Sequence, residues 1–532
     1  MRALIAGLTC LLVVGCGGAA TPQATTPPGP AATAAEPAPP PAPALSPALP
    51  PSPEAVPPAP TECGALISRP AAPAECGSDA ASTVEALAAG LLEAEPAARD
   101  AALFNLEACP GIRAGLVRGL RAELAPVACG DTLIGDFLDH SPGKLEPLIR
   151  DALVGLALAG RLHRLVRNPP VITPPFTKAR FGEFLAGPLG SWVRQQAKAI
   201  NDIAVQGAAL EGYGKGVTAV EAGLADMRFV EVVREVPLPQ ELARDQELSD
   251  VYYMALDEAL GPRKDRGRDA ALVGLKLLAD VGVLNDPRVR RARELLSKLY
   301  SGRRIDTLDG LMLPALPPVA PDAGQNVALA QALPTFYAGF ILADVDPSAP
   351  EMLRALLARG IPAGLRKRLD ASPLPLEARR LYARALVESG QHYWRSADFT
   401  QAASISQLGS DGKGEYADET RLLAALASAL QGGPKDAAEM MLRGPFLPAG
   451  VGNVKGLDSI ARSKSPFAGL AAFDAAFILQ LVPPVDPDPA FWKDLSKRYE
   501  RAAKLLPDAE RKARAQEQAS AARDTAKAIG EN

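Results

Sequence analysis

Along most of the chain, apolar positions recur three and four residues apart, the spacing that turns one face of an α-helix toward a core. Leu87, Leu91 and Leu92 follow Ser82-Thr83-Val84-Glu85, a run with the form of a helix-opening capping box. Pro96, Pro110 and Pro142 each stand where a helix can begin, because a first turn has no use for the missing N–H. Phe229, Val230, Val232, Val233 and Val236 keep helical spacing within a β-branched stretch and predict a helix that stops at Pro237. Further helices are predicted over Leu242 to Leu260, Asp269 to Val281 and Pro287 to Tyr300. The apolar stretches Leu153 to Ala159 and Val327 to Ala343, the second interrupted by Pro334, are short for a bilayer span and read as core helices. Alternating strands and turns recur nowhere. The predicted fold class is all-α, a helical bundle or α-solenoid.

The beginning of the chain has a different pattern. Met1 and Arg2 precede an apolar run from Ala3 to Val14, the form of a secretory signal peptide. From Ala19 to Glu62 the residues are almost all Pro, Ala, Thr and Ser, which cannot bury a core and favour an extended polyproline conformation. At about 3.1 Å per residue such a tether would reach on the order of 130 Å. The expected organisation is a signal peptide over 1–15, a linker over 16–62 and a cysteine-containing helical segment over 63–130. A helical domain over 131–310, a Pro-rich connection over 311–326 and a second helical domain over 327–532 come after it.

Leu12-Val13-Val14-Gly15-Cys16 resembles the lipobox of bacterial lipoproteins. That resemblance implies that Cys16 is diacylated, becomes the first residue and holds the protein to a membrane. Two acyl chains suffice for stable anchoring without a transmembrane helix. Gly17 and Gly18 lack the aspartate that in the family retains lipoproteins at the inner membrane. The expected address is therefore the outer membrane, facing the periplasm or the cell surface.

Composition narrows the rest. The 532 residues are 48% hydrophobic and only 5% aromatic, so cores must be built from Ala, Leu and Val, which favours close-packed helices. A net charge of -4 gives no basic field, and nucleic acid is set aside as a partner. Cys63, Cys76, Cys109 and Cys129 form an even set in a compartment where disulfides persist. Of the three possible pairings, Cys63 to Cys76 with Cys109 to Cys129 closes the shortest loops, and the sequence leaves the connectivity open. Zinc is disfavoured because no pair has C-x-x-C spacing and only His140 is near.

Gly390, Tyr393, Ala397, Asp398, Phe399 and Ala402 fall at the spacing G-x-x-Y-x-x-x-A-D-F-x-x-A, and Tyr499, Ala502, Leu505 and Pro507 at Y-x-x-A-x-x-L-x-P. Both resemble parts of tetratricopeptide repeats, whose small residues let paired helices approach and whose aromatics fill the groove between them. Ser406 replaces the usual large residue of the second helix, and Gly409, Gly412 and Gly414 come soon after it, leaving the number of units open. The tail from Asp508 to Ile529 reads as a polar capping helix.

Candidate chemistry is sparse. The three histidines, His140, His163 and His392, form no H-E-x-x-H, and no G-x-S-x-G appears. Gly212 to Thr218 has the look of a phosphate loop, but Gly216 follows the lysine and Ala209 takes the place of the leading glycine, so a glycine-rich helix junction is expected. Gly310-Leu311-Met312-Leu313 resembles the G-L-M-Q motif of lytic transglycosylases, which implies Glu294 as a general acid. However, Leu313 stands in place of the glutamine and Leu295 in place of the serine after the acid. Arg288, Arg290, Arg291, Arg293, Lys298, Arg303 and Arg304 make the densest basic run, either a solvated face or a contact for an anionic partner. No catalytic constellation, metal or cofactor is expected. The leading expectation is a membrane-anchored helical scaffold for another envelope protein, with a cell-wall enzyme and a small-molecule binder as the alternatives.

Overall fold

The computed structural model describes residues 49–530 apart from 68–79, 108, 110–112, 141–144, 317, 321–323, 344–348, 372, 408–411 and 445–451. The signal run, Cys16, the linker up to residue 48 and Cys76 lie outside the described residues. The described chain is all-α, with one isolated antiparallel bridge between Val283 and Gly360. Among the described residues no helix is long and apolar enough to cross a membrane.

Residues 49–60 belong to the predicted free linker, yet they lie against the body. Arg161 donates to the Pro50 carbonyl at 2.7 Å, Arg164 to that of Pro57 at 2.9 Å and Gln196 to that of Ala55 at 3.4 Å. Proline has no N–H, so a proline-rich segment offers more carbonyls than donors, and the two guanidiniums and the Gln196 amide supply donors to three of them. The strap leads into helix α1 (Thr61–Ala65), which carries the fully buried Cys63. Helix α2 (Ala114–Leu124) is followed by the turn Val127–Cys129 and helix α3 (Gly130–His140).

Cys63 is bonded to Cys129, 66 residues away, with their Cα atoms 5.2 Å apart. Of the pairings the sequence left open, this is not the one with the shortest loops. Short loops are cheap to close, but here Arg121, reaching the Leu66 carbonyl at 2.7 Å, docks the end of α1 against the α2–α3 corner and carries Cys63 with it. Cys109 is disulfide-bonded as well.

Helix α4 (Pro147–Arg164) crosses helix α5 (Gly212–Arg234) at glycines. A Cβ on Gly214 would stand 1.8 Å from the Asp151 carbonyl oxygen, and one on Gly155 would stand 2.4 Å from the Gly214 Cα, so only glycine permits this approach. The segment that has the look of a phosphate loop is thus the opening of a buried helix. Helix α6 (Gln246–Val281) runs through Pro262, where local spacing predicts two helices. Proline in a helix interior costs about 3 kcal/mol or more. Packing against α5 offsets that cost: Asp226, buried on α5, takes Arg263 and Arg266 at 2.7 Å immediately after the proline. Gly223 of α5 meets Gly267 of α6 so closely that a Cβ on Gly223 would lie 2.6 Å from the Gly267 carbonyl oxygen.

Helix α7 (Pro287–Leu299) is capped by Asp286, whose carboxylate accepts the Arg288 N–H at 2.7 Å. The described part of the predicted connection 311–326 does not run through solvent. Leu311 and Met312 are buried, Arg384 donates to the Pro314 carbonyl and Arg511 to that of Leu313, and one hydrophobic core extends across it from Cys63 to Ala522. A second, smaller core lies between α4, α5, the start of α6 and the segment between α4 and α5.

Helices α8 (Leu376–Tyr393) and α9 (Ser396–Gln407) pack with the Phe399 ring over Gly390, where a Cβ would stand 2.7 Å from that ring. Ala402 is buried, whereas Ala397, expected at the helix contact, is exposed. Near the end, helices α10 (Ala468–Leu481), α11 (Pro489–Leu505) and α12 (Ala509–Gly530) succeed one another. Tyr499 is buried, its ring edge-on to Phe473 at 5.3 Å and its hydroxyl bonded to Gln480. Ala502 is buried beside it, and Pro507 is exposed in the turn between α11 and α12.

Candidate functional site

The fold divides the basic run instead of presenting it as one face. Arg288 points inward and donates to Glu123 at 2.6 Å, with Tyr213 bonded to the same carboxylate at 2.9 Å. Arg293 is 5% exposed and holds Asp309 at 2.6 Å. Lys298 pairs with Glu231 at 2.6 Å, Arg304 grips Asp306 through two hydrogen bonds, and Arg303 caps the Met441 and Leu442 carbonyls. That leaves Arg290 and Arg291, which make no ion pair among the described residues. The sequence left the run as either a solvated face or an anionic contact, and not all of it faces solvent: an amphipathic helix must bury one face, and Arg288 and Arg293 fall on it beside Val289, Ala292 and Leu296.

A cavity of about 630 Å³ opens at the start of α7, with Arg290, Arg293 and Glu294 along one side. Its walls come from three distant parts of the chain. The loop before α7 is tied to the loop after Arg359 by the Val283–Gly360 bridge and by the Leu284 and Asn285 N–H groups on the Arg359 carbonyl, each at 3.0 Å. The turn bearing Asp306 and Asp309 forms the second wall. The end of α8 forms the third, fastened by the Tyr393 hydroxyl on the Val283 carbonyl at 2.6 Å and the Trp394 N–H on the Ile305 carbonyl at 2.8 Å. Trp394 adopts the left-handed conformation, φ 56°, that lets the chain turn out of α8. It is rarely taken by residues other than Gly, Asn or Asp.

Charge within the cleft is largely internally paired. Asp309 is held by Arg293 and Asp306 by Arg304, whose hydrogen bonds keep the Asp306 pKa low against burial. His392 is held below the ordinary histidine value by burial and then by Arg293, against the opposing pull of Asp309 and of the Glu388 carbonyl. Its Nδ1 lies 3.0 Å from that carbonyl, which can only accept, so Nδ1 carries the proton and Nε2 is left as an acceptor. Arg359 is fixed through its Nε to the Gln331 carbonyl at 2.7 Å. Glu294 is exposed and makes no ion pair among the described residues.

Gly310 to Pro314 do not line this cleft. The Gly310 carbonyl accepts from Arg514 at 2.9 Å, a Cβ there would strike the Phe477 ring, and the Met312 N–H donates to Asp474 at 2.8 Å. The segment resembling the transglycosylase motif is therefore a buried strap, separate from Glu294. Arg359, Asp309 and Trp394 carry no motif that marks them in the sequence. Tyr393-Trp394 at a helix end is the one available signal, a tryptophan in a chain that has three.

Asp474 gives a pH signature. Burial drives its pKa up to about 8, while the Met312 N–H, Arg511 and Arg514 pull the other way. In the unfolded chain an aspartate titrates near 3.9. Between about pH 4 and 8 the unfolded state sheds this proton while the folded state keeps it, so the stability contribution falls as pH rises through that window and levels off above it. Asp474→Asn keeps an oxygen for Met312 and does not titrate. Its unfolding midpoint relative to wild type is expected to climb from pH 5 to pH 9. Parallel curves for the two proteins would refute the shift.

Comparison with protein families, with curated proteins and with solved structures gives no match for this chain.

Proposed function

We propose that the protein is a lipid-anchored scaffold of the bacterial envelope, held by an acylated Cys16 at the outer membrane and gripping a partner protein or peptide through the cleft at α7. The observation that carries this reading is the cleft itself. Three chain segments far apart in sequence are fastened together around it, and its inner charges are neutralised in pairs. Arg290, Arg359 and Glu294 remain without an ion pair there. Its size falls within the range of sites that take small ligands or a few residues of a peptide.

The strap sets the geometry of the anchor. Between Cys16 and Leu49 lie 32 residues, a length that reaches about 100 Å if fully extended at polyproline rise. Force on the lipid would enter the body at the strap and at the Cys63–Cys129 bond.

Crosslinking and pull-down from native envelopes tests the reading. Wild type is expected to incorporate labelled palmitate and to recover a specific envelope protein. Cys16→Ser should lose the label, and Arg290→Gln with Arg359→Gln should lose the partner. Recovery of no specific partner by wild type would count against the scaffold, as would turnover of purified peptidoglycan that Glu294→Gln abolishes.

A further inference from the structure

The cleft also has a definite charge requirement, which bears on function if this cleft is the contact surface of the proposed scaffold. Arg290 and Glu294 stand four residues apart on α7, a spacing at which opposite charges ordinarily meet. Here they form no ion pair within 4 Å, although both line the same cavity. Arg359 lines the same cavity from the loop tied to the start of α7, its Nε committed to Gln331 and no carboxylate within ion-pair distance of it among the described residues. Behind them Arg293, 5% exposed, keeps a buried Nε with no hydrogen-bond partner even though its terminal nitrogen holds Asp309. A buried N–H without an acceptor is unfavourable, and a ligand oxygen placed there would satisfy it.

Asp286 also lines the cavity, but its carboxylate accepts the Arg288 N–H at 2.7 Å and stands 3.5 Å from the Arg288 guanidinium. Apart from the groups in such internal pairs, two guanidiniums and one carboxylate remain around the cavity, with one buried donor behind them. We propose that the cleft binds a short peptide with a free amino group and two carboxylates, its carboxylates held by Arg290, Arg359 and the Arg293 Nε and its ammonium by Glu294. Arginine forks suit carboxylates because two parallel N–H groups match two oxygens. A ligand with carboxylates alone would leave Glu294 facing like charge, and one with amines alone would oppose both arginines.

Calorimetric titration of the full mature chain in detergent with the dipeptide Ala-Glu, its N-acetyl form and its doubly amidated form tests this. Ala-Glu is expected to bind, N-acetylation to weaken it about tenfold, and amidation to weaken it further. Glu294→Gln should erase the difference between the free and acetylated dipeptides while leaving the difference from the amidated form. Arg290→Gln with Arg359→Gln should lower affinity for both carboxylate forms at least about tenfold. Arg290 and Glu294 are exposed, so their loss should leave the unfolding midpoint in place; for Arg359→Gln, which also gives up the bond to Gln331, the retained midpoint is checked before affinity is compared. Equal affinity for the three probes, or no binding of Ala-Glu, would overturn the proposal. A pull-down that still recovers a partner through this cleft while Ala-Glu does not bind removes the charge assignment alone. A pull-down with no partner removes the scaffold and leaves the dipeptide result to stand by itself.

Discussion

Cys63→Ser combined with Cys129→Ser is expected to lower the unfolding free energy by about 4 kcal/mol. The bond closes a loop of 66 residues, and restricting the unfolded chain over a loop of that length is worth about 4 kcal/mol on the chain-entropy estimate. Both cysteines are fully buried, so the serine hydroxyls would also need partners that the surrounding apolar side chains do not offer. In guanidinium chloride the midpoint should fall, and the slope should rise because the unfolded chain, freed of the cross-link, exposes more surface. The strap over 49–60 should become accessible to protease, because its attachment to the body then rests on the Arg161, Arg164 and Gln196 hydrogen bonds. Peptide mapping without reduction gives the independent check: a fragment joining Cys63 to Cys129 is expected, and one joining Cys63 to Cys76 would refute the pairing.

The second large effect falls on Arg288. Its guanidinium and the Glu123 carboxylate are 8% and 6% exposed, and the Tyr213 hydroxyl completes the cluster. Burial by itself pulls the Arg288 pKa down, and Glu123, with Tyr213 and Asp286, more than reverses it. Arg288→Met would leave the Glu123 carboxylate in the core without its cation, and stranding one member of such a pair costs about 3–5 kcal/mol. Replacing both members, as in Arg288→Met with Glu123→Met, should recover most of that loss, since two apolar groups leave no unpaired charge. The neighbouring Arg290→Met, on the exposed face, should change stability by less than about 0.5 kcal/mol. If all three variants unfold at the wild-type midpoint, the inward placement of Arg288 is wrong.

Arg288 and Arg290 mark the limit of what local sequence can say. Both are arginines in one run, two residues apart, and composition treats them alike. The apolar residues Val289, Ala292 and Leu296 mark the buried stripe of α7, and Arg288 and Arg293 sit on it. Nothing local announces that Glu123, 165 positions back, waits opposite. The same limit applies to α6. A proline after Gly261 predicts two helices on local rules, and the fold overrides it because Asp226 on another helix binds Arg263 and Arg266 beyond the break. Of the cleft, Glu294, Arg290 and Arg293 are visible in the sequence as unusual residues and His392 as a member of a repeat-like stretch. Arg359 and Asp309 carry no signal of their own, because a cleft made of three segments exists only once those segments meet.

The sequence by itself determined the helical class, from apolar residues repeating every three to four positions. It also marked Cys63, Cys109 and Cys129 as disulfide-forming residues, and it showed where many helices stop, at prolines and glycines. These are properties of a residue and its near neighbours, and a period of 3.6 is written within a dozen positions. The tertiary structure alone decided which cysteine Cys63 meets and which arginines go inside. It also decided that residues 49–60 and 311–316 lie against the body instead of running free. Each of those outcomes depends on groups tens to hundreds of positions apart, where burial of apolar surface brings segments together and buried charges must then find partners wherever the fold has placed them.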